Sequence, residues 1–317
     1  MTEPTTRLSP SVARGLSLQR KASEAVQLLQ LYRREARAGH DFSGLFAELD
    51  EYDELLRAHA AVAVADATVF EIGFGARPYR QVALQSMGVD VRGVDAEAPV
   101  LNGGPGHYAE MVRQNGAERA AKSLVRHLLF DRAEERALER ALRERGLTRR
   151  LDPSRLLVAD AGAVELEESS LDLVFSEDVF EHIERETLGR IVAAMAHWLR
   201  PGGLALIRPN VFTGITGGHL IEWSRRALKA PPGSRRSEPW EHLRQRRYAP
   251  NTYLNELTRT DYRALFTPYF EILAERVTQP QLGREHLDER ARDELRAWPD
   301  EELFSNQTLF VLRPRKA

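Results

Sequence analysis

Short apolar runs alternate with amphipathic, charge-rich segments along most of the chain after residue 60. Five runs rich in Val, Ile and Leu follow one another in this way: ATVFEIGFG, GVDVRGVDAE, RLLVADA, LDLVFS and GGLALIRPN. Runs of this length, separated by helical segments, are typical of parallel strands that are covered on both faces. The pattern therefore predicts an α/β fold with a doubly wound sheet, which two later runs, YFEILAERV and QTLFVLRP, complete to seven strands.

Other segments lie outside this alternation. The chain is expected to divide into a helical N-terminal extension, residues 1–60, and one domain, residues 61–317. The domain carries a helical insertion at 100–150 and an acceptor-side insertion of loops and short helices at 211–262. In the extension, Asp41 and Ser43 are start signals for an amphipathic helix. The N-terminal helices and the two insertions are expected to form a lid.

Composition narrows the class of protein. The chain has 317 residues, 42% hydrophobic and 29% charged, and its formal charge of -2 gives no overall attraction to nucleic acid or anionic membranes. The absence of cysteine excludes disulfides, thiolate zinc sites and thiol nucleophiles. No stretch approaches the roughly 18 apolar residues of a membrane helix, and the N-terminus has no apolar signal region. We therefore expect a cytoplasmic protein without a membrane segment.

A glycine loop, VFEIGFGARP, follows the first predicted strand. A dinucleotide-binding fingerprint would require a third glycine where this chain has Pro78, because helix and strand pack closely at that position. NAD is therefore disfavoured as a cofactor. Taken alone, the loop is also compatible with an ordinary strand-to-helix turn.

The loop and four later stretches, in this order, resemble class I S-adenosylmethionine-dependent methyltransferases. The later stretches are VRGVDAE, VADAGAV, LDLVFSEDVFEHI and LRPGG before LALIRPN. The resemblance implies a Rossmann-like fold and S-adenosylmethionine as the cofactor. The cofactor-binding residues that it implies are Glu71, Gly73, Gly75, Asp95, Asp160, Ala161 and Ser176.

The resemblance also implies a role for each acidic residue. The glycines let the backbone approach the amino-acid end of the cofactor, and Glu71 helps to hold the loop and the ammonium group. Asp95 ends the second strand and is expected to bind the ribose hydroxyls. Asp160, followed by Ala161, is expected to face the adenine.

The stretch SEDVFEHI follows the fourth predicted strand. Ser176 is a good N-cap, and in a helix Asp178, Glu181 and His182 would share one face because they are spaced i, i+3 and i+4. Acidic residues also stabilise a helix N-terminus, so capping alone is an alternative explanation. The position after a strand of a doubly wound sheet places this helix start beside the expected ligand site.

A metal site is the second hypothesis for this stretch. Its D-x-x-E-H pattern resembles the E-x-x-E-H of small-RNA 3′-terminal 2′-O-methyltransferases and ubiquinone-pathway O-methyltransferases, and the downstream H-x-x-E-W-S-R also resembles the small-RNA enzymes. The resemblance implies Mg²⁺ or Mn²⁺ held by Asp178, Glu181, His182 and His219. The first acid departs from the pattern, since Asp reaches less far than Glu. Without a metal, His219 is a candidate general base or an ordinary loop histidine, and Glu181 and His182 line the catalytic pocket.

The acceptor is expected to be small. Residues 225–247 hold a surplus of basic side chains and interspersed aromatics, which suits a sugar-containing acceptor that could carry an anionic group. RNA would call for a larger basic domain, so nucleic acid is disfavoured. The hypothesis is O-methylation of a hydroxyl on a glycan or sugar-containing small molecule. The alternatives are an RNA-end 2′-O-methyltransferase and a non-catalytic cofactor-binding subunit.

Overall fold

The computed structural model of the protein describes most of the chain beyond residue 38. The described residues are 39–101, 108–109, 112–113, 116, 124, 131–229, 235, 237–247, 250 and 252–315. The helix predicted before residue 39 and most of the helical run predicted between 102 and 130 lie outside them.

Seven strands form one sheet in the order β3-β2-β1-β4-β5-β7-β6. The strands are β1 Thr68–Ile72, β2 Asp90–Asp95, β3 Leu156–Val158, β4 Leu171–Glu177, β5 Leu199–Arg208, β6 Phe270–Val277 and β7 Thr308–Pro314. The first five are parallel to one another, and β7 runs antiparallel between β5 and β6. Every predicted apolar run is a strand, and the α/β prediction is confirmed. The central strand β4 is buried along its whole length, including its polar residues Asp172, Ser176 and Glu177.

Helices cover both faces of the sheet. They are α1 Ser43–Ala60, α2 Tyr79–Ser86, α3 Arg132–Glu144, α4 Arg185–Trp198, α5 Arg225–Lys229, α6 Arg259–Phe266, α7 Glu289–Glu294 and α8 Asp300–Leu303. One core lies between α4, α6 and the sheet, and a second lies under α1, α2 and α3. Across the described ranges, no helix combines the length and the apolar character that a membrane crossing needs.

The helix α1 belongs to the sheet's cover and not to a lid. It begins as predicted, since the carboxylate of Asp41 accepts hydrogen bonds from the backbone amide and the hydroxyl of Ser43 at 2.8 and 2.7 Å. Phe46 and Tyr52 are buried on its inner face against apolar side chains of β1, β4 and β5. Within the predicted insertion at 100–150, α3 confirms the helical pattern and buries Leu138 against the same core.

A buried network of charged groups ties α1 to the carboxyl ends of the strands. At the end of β4, Glu177 accepts a hydrogen bond of 2.5 Å from the hydroxyl of Tyr52 and lies 3.6 Å from the guanidinium of Arg208, which ends β5. Arg80 on α2 pairs with Glu48 on α1 at 2.5 Å. Burial and the charge of Glu48 raise the pKa of Glu177 to about 8, although Arg208 and Arg80 oppose this shift. Contacts with α1 and α2 therefore fix the ends of β4 and β5 on the side away from the candidate site.

We expect Tyr52→Phe to lower the free energy of unfolding by about 1 to 3 kcal/mol, because the buried carboxylate of Glu177 loses a hydrogen-bond donor. Urea denaturation followed by circular dichroism measures the change. Tyr269→Phe is the control, since this tyrosine is 41% exposed and its loss should matter by less than about 0.5 kcal/mol. Equal effects of the two substitutions would contradict a stabilising role for this hydrogen bond.

Candidate active site

A cleft of about 770 Å³ opens at the carboxyl ends of β1, β2, β3 and β4. Its walls include most of the predicted cofactor residues together with one histidine of the SEDVFEHI stretch: Gly73, Gly75, Asp95, Asp160, Ala161 and His182. This is the edge at which doubly wound sheets bind ligands. The topology thus brings together residues that lie far apart in sequence.

Glycine is required at the two positions of the loop for different structural reasons. Both have positive φ, +85° at Gly73 and +70° at Gly75. A Cβ at Gly73 would lie 2.2 Å from Cγ2 of Val179, so the loop after β4 packs directly against this position. A Cβ at Gly75 would meet no atom within 4 Å. Gly75 therefore presents its backbone to the cleft, and Gly73 lets the two loops touch.

Asp95 holds the glycine loop and lines the cleft at the same time. Its two carboxylate oxygens accept hydrogen bonds from the backbone amides of Gly75, at 2.7 Å, and Glu97, at 2.8 Å. Glu97 also lines the cleft, which the sequence reasoning missed, although its position two residues after a strand-ending acid is a usable signal. On the opposite wall, Asp160 accepts a 2.8 Å hydrogen bond from the amide of Gly162, which orders the turn that carries Ala161.

Glu71 lies behind the loop. Its side chain is 1% exposed and accepts a 2.9 Å hydrogen bond from Nε2 of Gln81 on α2, and it is not among the residues that line the cleft. Burial raises the pKa of Glu71 to about 7, while Arg80 and Gln81 oppose the shift. This position suits the predicted role in holding the loop, and its predicted contact with an ammonium group stays a prediction.

The helix predicted for SEDVFEHI is wrong. Strand β4 continues through Ser176 and Glu177, which pair with Ile207 and Arg208 of β5, so Ser176 is a strand residue and not an N-cap. Its hydroxyl donates a 2.8 Å hydrogen bond to the backbone oxygen of Ile72 in β1. A single turn of 3₁₀-helix follows at Phe180–His182, and α4 begins only after it. The cross-strand pairing, which local spacing does not reveal, extends the strand into the motif.

Asp178 consequently separates from the other two residues of the motif. It adopts φ +54°, and its carboxylate accepts hydrogen bonds from Arg225 at 2.5 Å and Gln307 at 2.9 Å. The expected metal ligand is thus part of a polar contact that links β4, α5 and the start of β7. Asp178, the first acid of the D-x-x-E-H pattern, therefore does not share a helix face with Glu181.

Three of the four expected ligands do come together. One ligand atom from each of Glu181, His182 and His219 lies within 4.8 Å of the other two. Oε1 of Glu181 is 3.8 Å from Nε2 of His219 and 4.0 Å from Nε2 of His182. His219 reaches the cluster from the loop after β5, and the two imidazole rings meet edge to face at 4.8 Å.

The electrostatics of this cluster are unusual. Glu181 is 3% exposed, and no hydrogen bond of normal geometry reaches its carboxylate oxygens from the described residues, although the backbone amides of Glu181 and Asn210 are near enough to act on it. Burial and the nearby charge of Asp178 raise the pKa of Glu181 well above its usual range, with backbone amides and Arg225 opposing. Burial and the neighbouring His182 lower the pKa of His219 to about 4. A buried carboxylate facing two imidazoles is a donor set that accepts a cation.

The end of the second insertion, at residues 252–255, also builds the site, which the sequence reasoning missed. Asn255 donates from its backbone amide to the carbonyl of Glu181 at 2.9 Å and from its side chain to the carbonyl of Phe180 at 2.7 Å. Nδ1 of His182 lies 3.0 Å from the carbonyl of Tyr253, and Thr252 lines the cleft. No periodicity or motif marks this stretch in the sequence.

Most of the described arginine side chains in the basic cluster predicted at 225–247 are paired within the protein. Arg225, Arg244, Arg246 and Arg247 each lie against a carboxylate. The guanidinium of Arg235 stacks 4.3 Å above the ring of Trp223. Trp223 and Trp240 are buried in a small core that packs α7 and α8 against the insertion. These groups therefore mainly hold the insertion together.

Comparison with known protein families gave a match. Residues 100–207 match the sequence profile of a family described as "Methyltransferase domain". The matched segment runs from the end of β2 into β5 and includes α3, the SEDVFEHI stretch and α4. This match identifies a methyltransferase domain over that part of the chain. The glycine loop of this methyltransferase precedes the matched segment, so its assignment depends on the geometry described above.

Several solved structures are similar to this chain at low sequence identity. The PH0226 protein from Pyrococcus horikoshii is 16% identical, with a TM-score of 0.43 over 86% of this chain and 92% of its own. The 1,6-didemethyltoxoflavin-N1-methyltransferase of Burkholderia thailandensis, solved with S-adenosylhomocysteine, is 14% identical, with a TM-score of 0.41 over 93% and 90%. A Methanosarcina mazei methyltransferase is 16% identical, with a TM-score of 0.42 over 81% and 95%. A comparison with curated protein sequences gave no significant match.

The cleft fits the cofactor of a methyltransferase. It has one wall of exposed backbone at Gly75, where a side chain would project into open space, and a strand-ending acid at Asp95 on the next strand. The turn at Asp160 and Ala161 forms the far wall. The assignment of these three parts of the cleft to the amino-acid, ribose and adenine ends of S-adenosylmethionine stays a prediction.

We expect the two glycine variants of this methyltransferase to differ. Gly75→Ala should lower the affinity for S-adenosylhomocysteine at least tenfold at a stability cost of about 1 kcal/mol, because the methyl group enters the cleft from a left-handed conformation. Gly73→Ala should destabilise the fold by about 2 to 5 kcal/mol through its clash with Val179. Calorimetric titration and thermal denaturation measure the two effects. Partial recovery of stability by Val179→Ala in the Gly73→Ala background is the control.

We expect the buried acid Glu71 to make stability depend on pH. The folded protein keeps this proton up to about pH 7, whereas the ordinary pKa is 4.5, so up to roughly 3 kcal/mol of stability is lost as pH rises between these values. Glu71→Gln mimics the protonated form and should flatten this part of the profile. Urea denaturation at several pH values measures it, with the exposed Glu271→Gln as control. Glu177 and Glu181 have raised pKa values too and leave a slope of the same sign, so a slope that Glu71→Gln does not reduce would contradict the assignment.

Proposed function

We propose that this methyltransferase transfers the methyl group of S-adenosylmethionine to a hydroxyl of a small polyhydroxylated acceptor, such as a glycan or a sugar-containing metabolite. We propose further that Glu181, His182 and His219 hold a divalent cation beside that hydroxyl. The observation that carries the proposal is the buried carboxylate of Glu181, which receives no hydrogen bond of normal geometry from the described residues and faces two imidazoles.

The donor set favours one kind of cation. A buried carboxylate without a partner costs several kcal/mol unless a positive charge compensates it. Two imidazoles and one carboxylate suit Mn²⁺ or a similar transition ion better than Mg²⁺, which prefers oxygen ligands. A divalent ion at this position would act as a Lewis acid that lowers the pKa of an acceptor hydroxyl.

The chain's own residues orient the reaction. The backbone of Gly75 and the carboxylate of Asp95 fix the cofactor in the cleft, and His182 lines both the cleft and the cluster. The acceptor hydroxyl is thereby expected next to the methyl group. If no cation binds, Nε2 of His219 is the group that takes the hydroxyl proton.

The charges of the acceptor-side insertion support a small acceptor. Arg225, Arg244 and Arg247 are engaged by the protein's own carboxylates, so they do not form a basic track for a nucleic-acid backbone. Tyr253, which is 43% exposed beside His182, offers an aromatic face to a sugar.

We expect chelator-stripped protein saturated with S-adenosylhomocysteine to bind one Mn²⁺ in a calorimetric titration. Glu181→Gln, His182→Ala and His219→Ala should each reduce the affinity at least tenfold, because each removes one ligand of the cluster. His197→Ala, which alters an exposed histidine of α4, is the matched control. Asp178→Asn should keep most of the affinity, since this carboxylate pairs with Arg225 and Gln307.

Transfer of a labelled methyl group to simple sugars and to a short RNA with a free 3′ diol tests the acceptor. Transfer to sugars alone supports the proposal, whereas transfer to RNA alone replaces it with the RNA-end alternative. Absence of Mn²⁺ binding, with activity that depends on His219, would leave O-methylation in place and assign His219 as the base.

A further inference from the structure

One hydrogen bond links Asn210, which follows β5, to the ring of His219, and two more link Asn210 to Thr216. Nδ2 of Asn210, a residue that is 7% exposed, lies 3.1 Å from Nε2 of His219 and 3.3 Å from the backbone oxygen of Thr216. Oδ1 of Asn210 lies 2.7 Å from the hydroxyl of Thr216. The backbone of Asn210 pairs with Gln307 in an isolated β-bridge, which fixes where this side chain starts.

These contacts determine which way the amide of Asn210 points. The backbone oxygen of Thr216 can only accept a hydrogen bond, so the amide atom that faces it must be the nitrogen. The hydroxyl of Thr216 then donates to the amide oxygen. The same nitrogen donates to Nε2 of His219, and a ring nitrogen that accepts a hydrogen bond carries no proton.

A different hydrogen-bond partner fixes the tautomer of His182 in the same way. Nδ1 of His182 lies 3.0 Å from the carbonyl of Tyr253, which can only accept, so Nδ1 carries a proton and the neutral ring has its lone pair on Nε2. The Nε2 atoms of His182 and His219 both lie near Oε1 of Glu181. Both rings therefore present a lone pair toward the same carboxylate.

We propose that Asn210 is a positioning residue that holds His219 in its Nδ1-protonated tautomer, with the lone pair of Nε2 directed toward Glu181. A histidine needs this lone pair to bind a metal or to accept a proton, and the partner of the ring decides which nitrogen has it. The consequence for catalysis rests on the proposed function, whereas the tautomer itself does not.

The surrounding loop keeps the ring from turning away. His219 adopts φ +50°, and a Cβ at the preceding Gly218 would lie 2.5 Å from the ring of His242. His242 is held by the carbonyl of Phe212, 2.8 Å from its Nε2, so His242 must carry its proton on Nε2. The partly buried His219 and the buried His242 are thus expected to hold opposite tautomers.

Nuclear magnetic resonance of the full chain, labelled with ¹⁵N in histidine and stripped of metal, tests the proposal. Long-range ¹H–¹⁵N correlations distinguish the tautomers, and loss of a signal in His219→Ala and in His242→Ala assigns the two rings. We expect the Nδ1-protonated pattern for His219 and the Nε2-protonated pattern for His242. An Nε2-protonated His219 in the wild-type protein would overturn the proposal.

Two substitutions of Asn210 show whether this residue sets the tautomer. Asn210→Asp offers only an acceptor and should move the proton of His219 to Nε2, and Asn210→Leu offers neither donor nor acceptor and should give a mixture. An unchanged His242 pattern reports that the fold is intact in each variant. If His219 keeps the wild-type pattern in both variants, Asn210 does not position it.

Titration of Mn²⁺ into Asn210→Leu separates this proposal from the metal hypothesis. At least a tenfold loss of affinity, together with the mixed tautomer, supports both. If the tautomer changes as expected but the wild-type protein binds no Mn²⁺, the positioning role stands and the metal hypothesis fails. Wild-type affinity in a variant with a mixed tautomer would show that the tautomer does not matter for the ion.

Discussion

Buried charge at the ends of adjacent strands constrains the whole candidate site. Glu177 ends β4 and Arg208 ends β5, and both side chains are removed from water on the face that α1 covers. Neither charge could stay there alone, because an unpaired buried charge costs several kcal/mol. Their mutual contact and the hydroxyl of Tyr52 on α1 compensate them. The loops that carry the site residues therefore leave the sheet from positions fixed by this network.

The same edge of the sheet also holds a buried carboxylate that no hydrogen bond of normal geometry reaches from the described residues. This carboxylate belongs to Glu181, four residues after Glu177. The residues around it are firmly held: Asn255 holds the backbone of the 3₁₀-turn, and Asn210 contacts the ring of His219. A buried acid held between two imidazoles is the feature on which the proposed cation site depends.

The fold was largely predictable from local pattern, and one motif was not. Parallel strands buried on both faces leave continuous apolar runs, so every strand of the sheet could be located in the sequence. SEDVFEHI has equally good signals for a strand end and for a helix start, and pairing of Glu177 with Arg208 decides between them. The basic residues after β5 were misleading, because composition cannot show that Arg225 and Arg247 meet internal carboxylates.

The sequence alone determined the order of strands along the chain, the glycine loop, the strand-ending acids and the presence of Glu181, His182 and His219, because these depend on residue type and short spacing. Tertiary structure alone decided that Asp178 leaves the cluster, that Glu71 lies behind the loop and that Asn210 contacts His219. Each of these outcomes depends on strand pairing and on burial between residues distant in sequence, and local periodicity carries no information about such contacts.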